Sequence, residues 1–508
     1  MSAEGVAIAI SIDRVPVADL VRIARGASVQ LTQAALGRID QSRAVVDEAI
    51  AGPNLVYGLN TGLGHLRNQR LAAEDLIAYQ DAIIRSHVGG FGPPLRTDVV
   101  RAAMAVRVIG ISRGGSGASP AVAHALTAML NAGVHPIVPT FGSVGASDLM
   151  HMAAIADVAV GRGSAEYQGS VMPGGEALAR AGLEPLQLAP KDGLALVSAN
   201  GVSIGWAALV ADRAATILAA ADTVLALSLE ATGGNVSIID PAVAAAKGID
   251  GQRAAADHLG RLLDSSELAV AGSASSVQDP LSFRVGPQVH GAARQVVDRL
   301  ASDVETELNA SDDNPLVDVE RRRLVSNGNF HPVALALSLD ALRPALAHVG
   351  QLSDRRMNHL WERAFRAADS ALPSGIVRMT RHGRGMFHRY GAASRYAQLR
   401  SLASPISLDI GALDNAVEDH ATNASEAARI SAEAIDVLAD VLAVELLMAR
   451  ALLIGDESRA KLGAGTKQAL GKLDQALAGI PEDAPSGDAV AATKRLLLDG
   501  ELATIGGA

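Results

Sequence analysis

From Val202 onward the chain carries long runs in which Ala, Leu, Val and Ile recur at helical spacing: Ala207 to Leu229, Pro332 to Leu352 and Ser425 to Ile454. Apolar positions repeating every three to four residues put one face of a helix into a core, and runs of this length predict a bundle. Before that point the pattern is broken. Short apolar segments alternate with glycine-rich turns at Tyr57 to Gly64, Gly89 to Pro94, Gly114 to Pro120 and Phe141 to Ala146, the kind of segment that tends to carry catalytic groups. The change divides the chain into a loop-rich region, 1–201, and a helical-bundle region, 202–508. Two prolines and a glycine between Gly479 and Ser486 predict a loop before a last helix, Asp488 to Leu498. The expected class is therefore mainly α, a long helical bundle behind a loop-rich, mostly helical N-terminal domain.

Composition sharpens this. Hydrophobic residues make up 49% of the 508 but aromatics only 3%, so the interior is aliphatic, as in packed helices. The longest apolar stretch, Val202 to Leu229, contains Asp212, Arg213 and Asp222; a membrane span would exclude these, so it reads as a buried bundle helix. A net charge of −10 argues against a nucleic-acid partner. Without cysteine, thiolate nucleophiles and cysteine-ligated metals are excluded, and a cytoplasmic setting is expected. The apolar stretch Met1 to Ile12 has no basic flank and no small-residue cleavage site, which argues against a secretory signal.

Two segments carry candidate chemistry. Tyr57-Gly58-Leu59-Asn60-Thr61-Gly62-Leu63-Gly64 sets one phenol among three glycines; alone it reads equally well as a turn with a packing tyrosine. Gln278-Asp279-Pro280-Leu281-Ser282-Phe283-Arg284, followed by Pro287-Gln288-Val289-His290-Gly291, is more distinctive, and Arg284 offers a planar fork suited to a carboxylate.

With Glu307, Asn309, Asp313-Asn314-Pro315 and Asn327-Gly328-Asn329-Phe330-His331, these segments resemble the histidine, phenylalanine and tyrosine ammonia-lyases, in consistent order from about residue 50 to 425. The resemblance implies the helical fold of that superfamily and of the fumarases, and a homotetramer whose sites combine loops from several subunits. It implies Tyr57 as the base that removes the substrate β-proton and Arg284 as the α-carboxylate ligand. Arg85-Ser86-His87-Val88-Gly89-Gly90 and Glu418-Asp419-His420 match the histidine-specific members, which makes His87 and Glu418 the imidazole-recognising pair. Asn60, Asn200, Gln278, Asn314 and Phe330 fall by the same match around the substrate. The expected partner is a small imidazole-bearing molecule, with no metal, nucleic acid or membrane.

One departure changes the expected chemistry. Most relatives carry Ala-Ser-Gly, which cyclises to a methylidene-imidazolone electrophile; this chain reads Gly142-Ser143-Val144-Gly145-Ala146-Ser147-Asp148-Leu149. Closing that ring compresses the backbone in a way glycine tolerates and a residue with a Cβ does not. No such cofactor is expected. Leu281, Val417 and Ser198-Ala199-Asn200-Gly201 also depart from the family where it surrounds the departing amine. The combination resembles the ergothionase branch, whose substrate is a histidine betaine. A trimethylammonium group leaves as neutral trimethylamine without activation, so the expected product is a urocanate-type acrylate. Asp148 is either a counter-charge to that cation or a helix N-cap; Tyr390 or Phe387 would add cation–π contact. Arg378, Arg381, Arg384 and Arg389 read first as solvated charge and second as ligands for the carboxylate or a substrate sulfur; His388 is open in the same way. Two alternatives stand beside this reading: a histidine ammonia-lyase that still matures, and an inactive structural relative, which would have lost Tyr57, Arg284 and Glu418.

Overall fold

The computed structural model describes residues 7–64, 68–369, 388–408, 411–453, 456–481 and 486–507. It is mainly helical, with short strands in small two- and three-stranded sheets. The chain divides into two compact units. The first holds Met1–Val210, Leu300–Leu339 and Pro405–Arg429; the second holds Ala211–Arg299, Asp340–Ser404 and Ile430–Ala508. The compositional change expected at 201/202 coincides with the start of the helix Gly201–Thr232.

In the first unit the helix Thr97–Ser112 is buried from Val99 to its end and packs against Val17–Ala24 and Pro120–Ala132. Arg101, on this helix, ties the three together by donating to the carbonyls of Ile23 (3.0 Å), Ala27 (3.2 Å) and Leu130 (2.9 Å). Carbonyls at helix C-termini have no partner within their own helix, so a buried guanidinium that serves several of them stabilises the stack. A second trio, Leu76–His87, Leu149–Ala159 and Asp192–Val197, packs mutually. Each of its helices presents one terminus to the candidate site: His87 ends the first, Asp148 precedes the second, and Ser198 to Asn200 follow the third.

The second unit takes most of the helix Gly201–Thr232, from Ala211 on. The helix Gly201–Thr232 is apolar on all sides and buried at nearly every residue, the pattern of a core helix. It and the stretch 333–364 are long and apolar enough to cross a membrane, but the apolar window of the first is wholly buried within the chain. Two carboxylates anchor this unit. Glu445 accepts from Arg356 through both oxygens (2.6 and 2.9 Å) and from Ser228 Oγ (2.6 Å), fully buried. Asp222 accepts from His258 Nδ1 (2.8 Å), His290 Nδ1 (2.7 Å) and Arg294 (2.6 Å). Burial alone would raise Asp222, but Arg294 and the two histidines hold it well below the usual carboxylate range.

Candidate active site

The Tyr57 loop is held by its own polar side chains. Asn60 Oδ1 accepts the Val56 N–H (2.7 Å), its amide donates to the Asn54 carbonyl (2.9 Å), and Thr61 Oγ1 accepts the Gly58 N–H (3.2 Å). Both functions of the Asn60 amide therefore shape the loop. Two phenols meet its end: Tyr57 Oη accepts the Gly64 N–H (3.2 Å) and Tyr79 Oη the Leu63 N–H (2.9 Å). An amide donor on a phenol oxygen favours the phenolate, which a tyrosine base requires. Burial raises Tyr79 above the ordinary phenol range, the Leu63 N–H opposes this and Tyr57 adds to it. Tyr79 escaped the motif comparison, although Tyr79, Ile83 and His87 share one face of a helix by their four-residue spacing.

On that face His87 Nδ1 lies 2.7 Å from the Ile83 carbonyl. A carbonyl only accepts, so Nδ1 carries a proton; in the tautomer this selects, Nε2 is the acceptor. The Glu418 carboxyl is raised above its ordinary range by burial first and by Asp414 second, while His87 opposes. Glu418 and Leu413 exchange both backbone hydrogen bonds (2.7 and 3.2 Å) and close a tight turn. Asp414, Asn415 and Ala416 at its tip all adopt left-handed φ, from 46° to 62°; the strain of three such non-glycine residues fits a functional loop. Asp414 packs directly onto Gly64, where a side chain would overlap its carboxylate. Tyr57, His87, Asp414 and Glu418 are thus linked within the first unit.

The Gly142 to Asp148 segment lies alongside. Gly145 takes φ 81°, and a Cβ there would overlap Thr422 Oγ1; only glycine fits. Ser147 is left-handed at φ 58°. Asp148 stands at the N-cap position of Leu149–Ala159, yet its side chain makes no bond to that helix. Instead the fully buried carboxylate accepts from Ser143 Oγ, Ser203 Oγ and Ser203 N–H, each at 2.7 Å. Asp148 therefore caps a later helix, Gly201–Thr232, satisfying an amide of its first turn. Its own N–H donates to the Ala199 carbonyl (2.8 Å).

Asn200 and the 327–331 loop complete this part. Asn200 is fully buried; its amide donates to the Phe330 carbonyl (2.9 Å), which also accepts the Ser147 N–H (3.1 Å). Asn200 Oδ1 has no partner among the described residues, an open acceptor in a buried place. Asn314 Oδ1 accepts the Asn327 N–H (3.1 Å) and so shapes the loop. The Phe330 ring lies edge-on to His331 (6.2 Å, 81°), and His331 Nε2 is 2.7 Å from His420 Nδ1.

Arg284 and Gln278 belong to the second unit. Arg284 ends the short helix Leu281–Arg284, is half-buried, and makes no hydrogen bond or ion pair among the described residues. Gln278 is exposed and bonded through its backbone to Ser276. Arg389 pairs with Asp354 (2.8 Å), burial lowers His388, and the exposed Tyr390 ring meets Trp361 edge-on (6.2 Å, 84°). Phe387, Arg378, Arg381 and Arg384 lie outside the described residues.

Comparison with known proteins follows the same outline. The family model for aromatic amino acid lyase matches residues 15–475. A probable histidine ammonia-lyase of Halobacterium salinarum is 37% identical over 498 residues, 93% of this chain and 92% of its own length. The histidine ammonia-lyase of Gloeobacter violaceus is 35% identical over 490 residues, covering 95% and 94%. Among solved structures, the ergothioneine-degrading ergothionase of Treponema denticola, in complex with desmethyl-ergothioneine sulfonic acid, superposes with a TM-score of 0.89 at 27% identity, over 98% of this chain and 100% of that one. The histidine ammonia-lyase of Trypanosoma cruzi gives 0.85 at 26% identity, over 98% and 94%.

Proposed function

Because the chain belongs to the aromatic amino acid lyase family, a family of carbon–nitrogen lyases, we propose that it eliminates trimethylamine from a histidine betaine, ergothioneine or hercynine, without a methylidene-imidazolone. The observation that carries this is the seat of Asp148. In the glycine's place stands a residue whose N–H is held by Ala199 and whose carboxylate is held by Ser143 and Ser203. Cyclisation would require that nitrogen to leave Ala199 and attack the Ala146 carbonyl, dragging a buried charge out of three hydrogen bonds. The residues do not fit the cofactor. With both oxygens engaged, Asp148 is assigned to the helix terminus rather than to the substrate cation.

In the proposed reaction, Tyr57 phenolate takes the β-proton. The C–H pair becomes the Cα–Cβ double bond, and the C–N pair leaves with neutral trimethylamine. Arg284 takes the α-carboxylate through its unpaired fork. His87 Nε2 and Glu418 recognise the imidazole. Asn200 Oδ1 supplies a buried acceptor to the substrate. Ergothionase in the fold comparison, with its ergothioneine-derived ligand, supports the betaine reading. Loss of a charged leaving group as a neutral molecule needs no electrophile, which makes the reading consistent with the altered triad.

A second reading, histidine ammonia-lyase activity, is favoured by the names of the relatives at 35–37% identity. Incubation of the purified protein with ergothioneine, hercynine and L-histidine, with acrylate absorbance and the released amine both measured, separates the two. Trimethylamine from a betaine is the expected outcome; ammonia from L-histidine alone would overturn it.

A further inference from the structure

Beneath Asn200 lies a buried charge cluster to which none of the proposed chemistry assigns a role. Arg107, fully buried on the helix Thr97–Ser112, is bidentate to Asp313 (2.7 and 3.1 Å) and lies 3.6 Å from Asp312. Asp312 Oδ2 accepts the backbone N–H of Asn200 at 2.8 Å. Asn200 in turn holds the Phe330 carbonyl that also receives the Ser147 N–H. One chain of contacts therefore runs from Arg107 through Asp312 to the residue whose Oδ1 is open, and on to the segment standing where relatives build their electrophile.

The geometry points to Asp312 as a positioning residue. Clamped by Arg107, its carboxylate fixes the Asn200 backbone and so aims the Asn200 side chain at the substrate. Asp313 contributes from the other side, its carbonyl accepting the Asn327 amide (3.0 Å) and steadying the 327–331 loop. The charged groups facing Asp312 are Arg107 and Asp313, with Glu307 and Lys191 in the same cluster. Burial pushes Asp312 up to about 6; Asp313 adds to the rise, while Arg107 and the Asn200 N–H oppose it. The clamp is accordingly full above that pH and weakened below it, since a protonated carboxyl loses its charge-assisted hold on both partners.

The inference rests on Asn200 belonging to the site, so the test has one readout tied to activity and one free of it. Asp312→Asn should lower kcat/KM about 10- to 100-fold on whichever imidazole substrate is turned over, the scale expected of a small displacement at the site. It should add little in an Asn200→Ala background, because residues acting through one another are non-additive. Hydrogen exchange of the peptide spanning residues 197–204 should quicken in Asp312→Asn whether or not a betaine is a substrate. Should Asp312→Asn not fold, the wild-type chain gives the same reading: protection at Asn200, corrected for intrinsic rate, should fall as the pH drops through about 6. Equal losses in the wild-type and Asn200→Ala backgrounds, or protection that neither the variant nor pH alters, would overturn it.

Discussion

The two units treat buried charge differently, and the difference separates chemistry from scaffolding. In the second unit Asp222 and Glu445 are held by two histidines and two arginines, while Arg284 makes no hydrogen bond or ion pair among the described residues. In the first, Asp148 is held by hydroxyls and one amide, the buried Asn200 Oδ1 has no partner among the described residues, and four carboxyls, Asp192, Glu307, Asp312 and Glu418, are raised by burial, against Glu230 in the second. Saturated networks rigidify, while open acceptors and raised carboxyls mark places built to meet a ligand.

The comparison is most severely broken at Tyr57. Replacing Tyr57 by Phe should reduce kcat about 10²- to 10⁴-fold while KM changes little; steady-state kinetics read both. In the second unit, replacing Glu445 by Gln leaves Arg356 buried and without a carboxylate, and should cost about 3–5 kcal/mol of stability, read as a lower urea midpoint with little change in active-site affinity. Arg284→Ala should raise KM about 10- to 100-fold, the loss of about 1.5–3 kcal/mol of charge-assisted bonding, and Arg284→Lys should recover only part because the fork is gone.

The smallest effect is the response to pH, which should have opposite sign in the two units. Asp222 is depressed, so its stabilisation is present above the unfolded aspartate value of about 3.9 and is lost as the pH falls toward the folded one. Asp312 and Glu307 are raised, to about 6 and about 7, by burial first. Their favourable contribution is full below about 4 and is lost as the pH rises through 6 and 7. Hydrogen exchange across pH 3–8 should show the second unit loosening at the acid end and the first-unit helices away from Asn200 loosening toward neutrality, while the Asn200 amide, held directly by the ionised Asp312, gains protection over the same rise; parallel curves for the two units would contradict the assignment.

Much of this was legible in the sequence where information is local. The Gly201–Thr232 helix follows from its apolar run, and the Tyr57 loop was readable as a glycine-rich turn because its own Asn60 and Thr61 side chains shape it. The seat of Asp148 was legible only in part. A helix cap was one of the two readings open for Asp148, but the helix capped begins 53 residues on, at Gly201, a tertiary contact that no local pattern encodes. Asp312 was hidden for the same reason, its partners lying on the helix Thr97–Ser112 and at Asn200. Asp414 was hidden differently, since its approach to Gly64 depends on three consecutive left-handed residues, none of them glycine, against which local propensity argues.

The central claim is that Asp148 is built into a helix terminus and that elimination proceeds without a self-made electrophile. The intact mass of the purified full-length chain tests this most directly. The mass of the unmodified sequence is the predicted result; a chain lighter by two waters, with the loss located at Ala146-Ser147-Asp148, would contradict it.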